Sequence, residues 1–288
     1  MKPLIEGIRP YLELCKPRIA LFAAFSSASG FLLAHAASRN KLFLIVAGVL
    51  VLSSGAGALN QYLERRTDAL MPRTESRPVP SGRLSPLRAF CFSLSLIFSG
   101  LFILLLTGNK MATLLGLSAV LWYNGLYTYL KTKTAFAAVP GALIGAVPPA
   151  MGWVAAGGSL YDPGLLYVCF FFFLWQVPHF WLLILRYGEE YRSAGLPSMT
   201  GILTEPQIAR IIFSWIFATA VSCLFFVSNA LSLSPFIRSF LFGVSLWLVW
   251  NGIRLLRARG KGNEYAFAFK RVNAYMLLVM ILLSVDKL

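Results

Sequence analysis

Asn60, Glu64 and Asp68 recur at every fourth residue, the spacing that lines side chains along one face of a helix. Hard oxygen donors in such a row suit Mg²⁺, which takes one or two protein carboxylates and shares the rest of its shell with substrate phosphates. Arg73 and Arg77 follow within a few residues, and guanidinium groups hold phosphate oxygens in a planar fork. Pro72, Pro78, Pro80 and Pro86 stiffen the same stretch, which suits a positioned loop better than a mobile linker. The bland alternative is a solvated helix end whose arginines serve only orientation. The complete row, followed by Met71, Arg73, Thr74, Arg77 and Pro78, favours a metal-diphosphate site.

A second group lies further along the chain. His179 sits in a long apolar run, where an ionisable residue is a functional candidate by default; the alternative is a hydrogen-bonded packing histidine. If one helix persists, His179, Arg186 and Glu190 share a face, with Gly188 as the place where it can break. Glu190 is the better metal ligand there and Glu189 its solvated neighbour. Tyr127 and Lys131 stand in a short connection between the two groups. Lys131 can neutralise a leaving diphosphate or simply mark topology. His35, the other histidine, reads as interfacial.

The elements that must carry these residues are membrane helices. Of 288 residues, 58% are hydrophobic and 13% charged, with a mean hydropathy of +0.70, whereas soluble proteins are about 25% charged. Only helices or closed barrels satisfy the backbone in lipid, and the short alternating segments of a barrel are absent. The expectation is an all-α polytopic membrane protein, one domain over 1–288, with nine spans. They fall near 19–36, 42–63, 87–107, 112–130, 135–156, 160–185, 208–228, 236–255 and 266–285, each able to cross a ~30 Å core. Gly141, Gly145 and Gly152, with Pro148 and Pro149, imply close packing and a break in the fifth span. The run from Phe170 to Phe173 reads as lipid-facing bulk. Cys15, Cys91, Cys169 and Cys223 are scattered and read as small buried apolar residues.

A net charge of +15 on a soluble protein would suggest nucleic acid. Here it records topology. With the N-terminus cytoplasmic, 21 of the 26 Lys and Arg residues fall on inner segments, a positive-inside pattern that gives N-in, C-out and asks for no nucleic-acid partner. Nine of the eleven acids lie on that same side. The loops after the second and sixth spans are an even number of spans apart and must share a face. Lys16-Pro17-Arg18 reads as a juxtamembrane anchor, and the basic lead before it is long for a cleaved signal peptide.

The row Asn60, Glu64, Asp68 with its Met71, Arg73, Thr74, Arg77 and Pro78 tail resembles the first acidic motif of the UbiA superfamily of intramembrane prenyltransferases. Glu64 and the tail are similar to its protoheme IX farnesyltransferase branch. Lys16-Pro17-Arg18 and the stretches 127–131, 145–153, 174–181, 191–199 and 273–275 also resemble that branch, so the likeness covers nearly the whole chain. Two departures stand out: Val177 replaces a proline of the branch pattern, and the second acidic motif offers only Glu189 and Glu190 where quinone-modifying members are richer in Asp.

The resemblance implies nine helices around a central cavity and a cell inner membrane location. It implies Asn60, Glu64 and Asp68 as catalytic Mg²⁺ ligands joined by Glu190, with Arg73, Arg77 and Lys131 on the diphosphate. His179 would lie close to heme, as an iron ligand or as an acid/base near the reacting vinyl, and Arg192 or Arg18 would hold propionates. A vinyl of protoheme IX would attack the farnesyl cation from farnesyl diphosphate and water would add, giving heme O for hand-over to a heme-modifying enzyme or terminal oxidase. Prenylation of a quinone or other aromatic acceptor is the alternative within the superfamily. A transporter of an anionic amphiphile is the alternative of another class, although transporters favour binding groups near the midplane.

Overall fold

The helices begin where the chain offers a cap. Ser38, Ser85, Asn109 and Asp162 each accept a backbone N–H from the first turn that follows, satisfying donors that every helix start leaves unpaired. Pro17, Pro86, Pro163 and Pro206 stand in first turns, where a missing N–H breaks no bond. The computed structural model describes residues 2–34, 38–226, 231–257 and 262–287. His35 lies outside the described residues.

The order is α1 (Lys2–Leu14), α2 (Pro17–Leu33), α3 (Arg39–Leu63), α4 (Arg65–Asp68), α5 (Pro86–Leu105), α6 (Lys110–Leu121), a π-helical turn (Trp122–Tyr127), α7 (Thr128–Leu130), a 3₁₀ turn (Ala135–Ala137), α8 (Ala138–Gly141), α9 (Leu143–Ala155), α10 (Pro163–Arg186), α11 (Gly188–Ser193), a second 3₁₀ turn (Met199–Gly201), α12 (Glu205–Phe225), α13 (Pro235–Arg257) and α14 (Gly262–Val285). The expected all-α class holds, and this is an integral membrane protein: Phe43, Phe98 and Trp250 are among many large apolar side chains left largely exposed.

Among the described residues, seven of the nine expected spans are long and apolar enough to cross a membrane by length and composition. The other two are not among these seven. The first is the 17-residue α2, and the end of its expected range lies outside the described residues. The fourth is α6 running into the π-helical turn and α7; π turns insert a residue into the helical ladder and recur at functional sites. The fifth span is divided at Ala142, between α8 and α9, whereas Pro148 and Pro149 lie inside α9 and do not break it.

α2 packs on α3, α9 and α14, while α14 also packs on α10 and α13, so the last helix returns to α2 and the bundle closes around a cavity. The α2–α9 approach depends on missing side chains. A Cβ on Gly152 would lie 1.9 Å from the Ser27 carbonyl oxygen, and one on Gly30 would lie 2.1 Å from that of Pro149. Both obstacles are backbone, so they cannot turn aside. Gly152→Ala is therefore expected to destabilise the protein by about 1–3 kcal/mol or more. The thermal midpoint in detergent reads this out, and an unchanged midpoint would disprove the close contact.

The phenylalanine run departs from its expected role. Phe170 is exposed, but Phe171 and Phe172 are buried, because successive residues turn by about 100° around a helix and four in a row cannot share one face. Of the cysteines expected to be buried, Cys223 is, Cys15 and Cys169 are half-buried, and Cys91 is exposed.

Candidate active site

The acidic row forms where α3 stops. Glu64 is the C-cap of α3, and α4 carries the chain on to Asp68. Backbone bonds from Glu64 N to Asn60 O (2.9 Å) and from Asp68 N to Glu64 O (2.8 Å) keep the four-residue register through this joint. Beyond it the tail folds on itself. The Thr74 hydroxyl donates to the Asp68 carbonyl oxygen at 2.8 Å, and Met71 buries itself against Tyr191 and Leu196. The two loops expected to share a face thus meet, and Arg73 seals the joint by donating its backbone N–H to Glu190 Oε2 at 3.1 Å and laying its guanidinium over the Tyr187 ring at 4.6 Å.

Each residue of the row faces a cation. Lys131 Nζ lies 3.1 Å from both Glu64 oxygens. Arg77 donates to Asp68 Oδ2 at 2.6 Å, and Lys16 Nζ donates to Asn60 Oδ1 at 2.9 Å. These charges set the ionisation of one another. Burial alone would raise the Glu64 carboxyl, but Lys131 and Lys16 outweigh it and hold the group below its ordinary value. Burial alone would lower the Lys131 ammonium, but the Glu64 carboxylate overrides it and raises the group. Lys16 is lowered to about 8, chiefly by burial and then by Arg77.

Lys16 reaches this position through an unusual backbone. It has φ 46° and ψ 58°, the left-handed region that costs a non-glycine residue about 1–2 kcal/mol. Gln61 clamps the elbow from the other side, donating to the carbonyls of Glu13 (3.2 Å) and Leu14 (3.0 Å).

Below this charged mouth lies a cavity of about 1140 Å³, larger than the ~300–1,000 Å³ of ordinary small-ligand sites. Its deeper wall includes Phe172, Trp175, His179, Tyr123 and Tyr127. Tyr127 stacks on Tyr123 and on Phe180, with ring centroids 5.9 and 5.5 Å away, an alignment that the π-helical turn sets up. A UbiA prenyltransferase family model matches residues 20–274. The chain belongs to the UbiA prenyltransferase family.

Relatives of this UbiA chain include an enzyme named protoheme IX farnesyltransferase from Geobacter sulfurreducens, 43% identical over 192 residues, which cover 67% of this chain and 71% of that one. Another of the same name, from Oleidesulfovibrio alaskensis, is 36% identical and covers 98% of this chain and 97% of its own. Among solved structures, digeranylgeranylglyceryl phosphate synthase aligns with a TM-score of 0.78 at 17% identity, over 98% of this chain and 99% of that one. A UbiA homolog from Archaeoglobus fulgidus bound to GPP and Mg²⁺ aligns with a TM-score of 0.69 at 15% identity, over 94% and 99%. The structures establish the shared fold.

The site brings together Asn60, Glu64, Asp68, Arg73, Arg77, Lys131 and His179, all on the cavity wall. It does not bring in all the expected residues. α10 ends at Arg186, and Tyr187, with φ −120°, interrupts the path to α11, so the expected continuous face from His179 to Glu190 does not form. Among the described residues, Glu190 meets the site through the Arg73 N–H alone. Arg192 pairs with Glu189 on an exposed surface and does not line the cavity, whereas Arg18 does. Lys16 and Asn273 also line it; both belong to motifs visible in the sequence, but neither residue carried a chemical role there.

The donor set fits Mg²⁺. Two carboxylates and a carboxamide oxygen at the mouth are what this hard cation takes from protein while a diphosphate completes its shell. A third carboxylate is not at hand, since among the described residues no three His, Cys, Asp or Glu side chains gather. Anion binding has its own mark: Arg73 Nε is buried with no hydrogen-bond partner among the described residues, a cost normally removed by a ligand or water.

Proposed function

We propose that this chain transfers the farnesyl group of farnesyl diphosphate to a vinyl group of protoheme IX, with addition of water, to give heme O and diphosphate. What carries this reading is one cavity joining a carboxylate-and-cation mouth to an aromatic chamber that holds His179. The name shared by the similar chains supports heme as the acceptor. The acting unit is a single membrane-embedded domain over 1–288, in the cell inner membrane with its N-terminus cytoplasmic and its C-terminus outside.

Asn60, Glu64 and Asp68 would hold Mg²⁺, while Glu190 holds the Arg73 backbone at the edge of the site. Bound there, the metal neutralises charge that grows on the departing diphosphate. Arg73, Arg77 and Lys131 hold the phosphate oxygens, and Lys16 adds a fourth cation beside them. The carbon–oxygen bond of farnesyl diphosphate breaks with its electron pair leaving on diphosphate. Tyr123, Tyr127 and Trp175 exclude water and face the resulting allylic cation with their ring electrons. The vinyl π electrons form the new carbon–carbon bond, the cation passes to the vinyl carbon next to the macrocycle, and water adds there and loses a proton. Arg18, on the cavity wall, would hold a heme propionate.

The test is to incubate the purified protein with heme, farnesyl diphosphate and Mg²⁺ and to analyse heme by mass spectrometry. A heme heavier by one farnesyl group plus one hydroxyl group supports the reading. Unmodified heme, with prenylation of an aromatic acceptor added in its place, would refute it.

Arg73→Ala is expected to weaken binding of inorganic pyrophosphate by about 10–150-fold in the presence of Mg²⁺, as follows from losing a hydrogen bond to charge worth ~1.5–3 kcal/mol. Calorimetric titration checks this, and an unchanged affinity would remove Arg73 from the diphosphate site.

A further inference from the structure

His179 is held by a carboxamide from a distant part of the chain. Its Nδ1 lies 2.7 Å from Asn273 Oδ1, and Asn273 Nδ2 donates to the Phe269 carbonyl oxygen at 2.6 Å. The second bond decides which way the carboxamide faces. If it were reversed, two oxygens with no proton between them would meet at that distance. With Oδ1 turned to the ring, only a protonated Nδ1 completes the contact. In the neutral imidazole Nε2 is then the lone-pair nitrogen.

The surroundings fix the ring as well as the tautomer. Trp175, Phe180 and Phe269 pack around it with centroids 4.9, 5.8 and 5.1 Å away. Trp175 Nε1 donates to the Val272 carbonyl oxygen at 3.1 Å, locking α10 to α14 beside Asn273. The ring lines the cavity, and no hydrogen bond from the described residues reaches Nε2. This is the arrangement in which a metal-ligating histidine is usually found: one nitrogen donates to a protein oxygen, and the other is oriented and electron-rich.

We infer that Asn273 is a positioning residue that holds His179 as the Nδ1–H tautomer and so presents Nε2 to the cavity as a ligand for heme iron. The identity of the iron rests on the proposed farnesyl transfer to heme; the tautomer does not.

Two measurements separate these parts. The chain has two histidines, so in a His35→Gln background ¹⁵N-histidine NMR of the detergent-solubilised protein without heme reports His179 alone. The Nδ1–H tautomer is expected in this background and with Asn273→Asp added, and its loss with Asn273→Leu. An Nε2–H tautomer, or one that Asn273→Leu leaves unmoved, would overturn the positioning role. Titration with ferric heme should give a histidine-ligated spectrum in the wild type and Asn273→Asp, and binding at least about tenfold weaker in Asn273→Leu. Heme O formed by wild-type protein with no histidine–iron signature would overturn the ligand assignment alone. Neither ligation nor product would overturn the heme reading itself.

Discussion

Asp68→Asn is expected to slow farnesyl transfer by about 10²–10³-fold, the loss that follows removal of one preorganised electrostatic group and equivalent to ~2.7–4 kcal/mol of barrier. The substitution keeps the shape of the side chain and an oxygen for Arg77, which now donates to Asp68 Oδ2 at 2.6 Å. It removes the negative charge that Mg²⁺ would require. The local backbone should survive, because Thr74 holds the main-chain carbonyl of residue 68 rather than its carboxylate. Arg77 is partly open to the cavity, at 24% side-chain exposure against 1% for Asp68, so it can be hydrated once its partner is neutral. Single-turnover rates with farnesyl diphosphate and heme, taken beside a thermal midpoint close to wild type, would establish the charge requirement. Turnover within a few-fold of wild type would remove Asp68 from the metal-diphosphate site.

How much of this was legible in the sequence depends on the range over which each feature is decided. Glu64 and Asp68 were readable because helix periodicity alone aligns them with Asn60, and the joint between α3 and α4 keeps that register. The meeting of the two loops followed from counting spans, although the apolar contact of Met71 with Tyr191 and Leu196 carries no motif of its own. Arg192 was misleading because its direction depends on the interruption at Tyr187, and a single backbone dihedral reorients everything after it. Lys16 shows the opposite failure. As one of many basic residues near a membrane boundary it had a sufficient topological explanation, and only its left-handed backbone points it inward. Asn273 was seen as part of a motif, but its role is set by a partner 94 residues away. Local periodicity does not encode such a pairing.

Lys131→Gln should produce changes of opposite sign that no simple loss of structure can imitate. Lys131, Arg77 and Lys16 already face Glu64, Asp68 and Asn60, so a metal ion must displace cations from the oxygens it needs. A diphosphate offers those cations new partners. Metal and diphosphate are therefore expected to bind as a set, each raising the affinity of the other by the same factor, as linkage demands. Without Lys131, Glu64 is free to meet a metal directly. Mn²⁺ affinity in the absence of pyrophosphate should then rise by about 10-fold or more, from a charged hydrogen bond of ~1.5–3 kcal/mol that no longer competes. The enhancement by pyrophosphate should shrink, and farnesyl transfer should fall by about 10²-fold. Removing Lys131 also lifts the Glu64 carboxyl, because burial raises it and Lys131 is the largest opposing influence, so both proteins are titrated over a series of pH values. Paramagnetic resonance of Mn²⁺, with and without pyrophosphate, separates the two effects. Weaker Mn²⁺ binding under both conditions would mean that Lys131 only holds the site together, and the exchange of partners would be wrong.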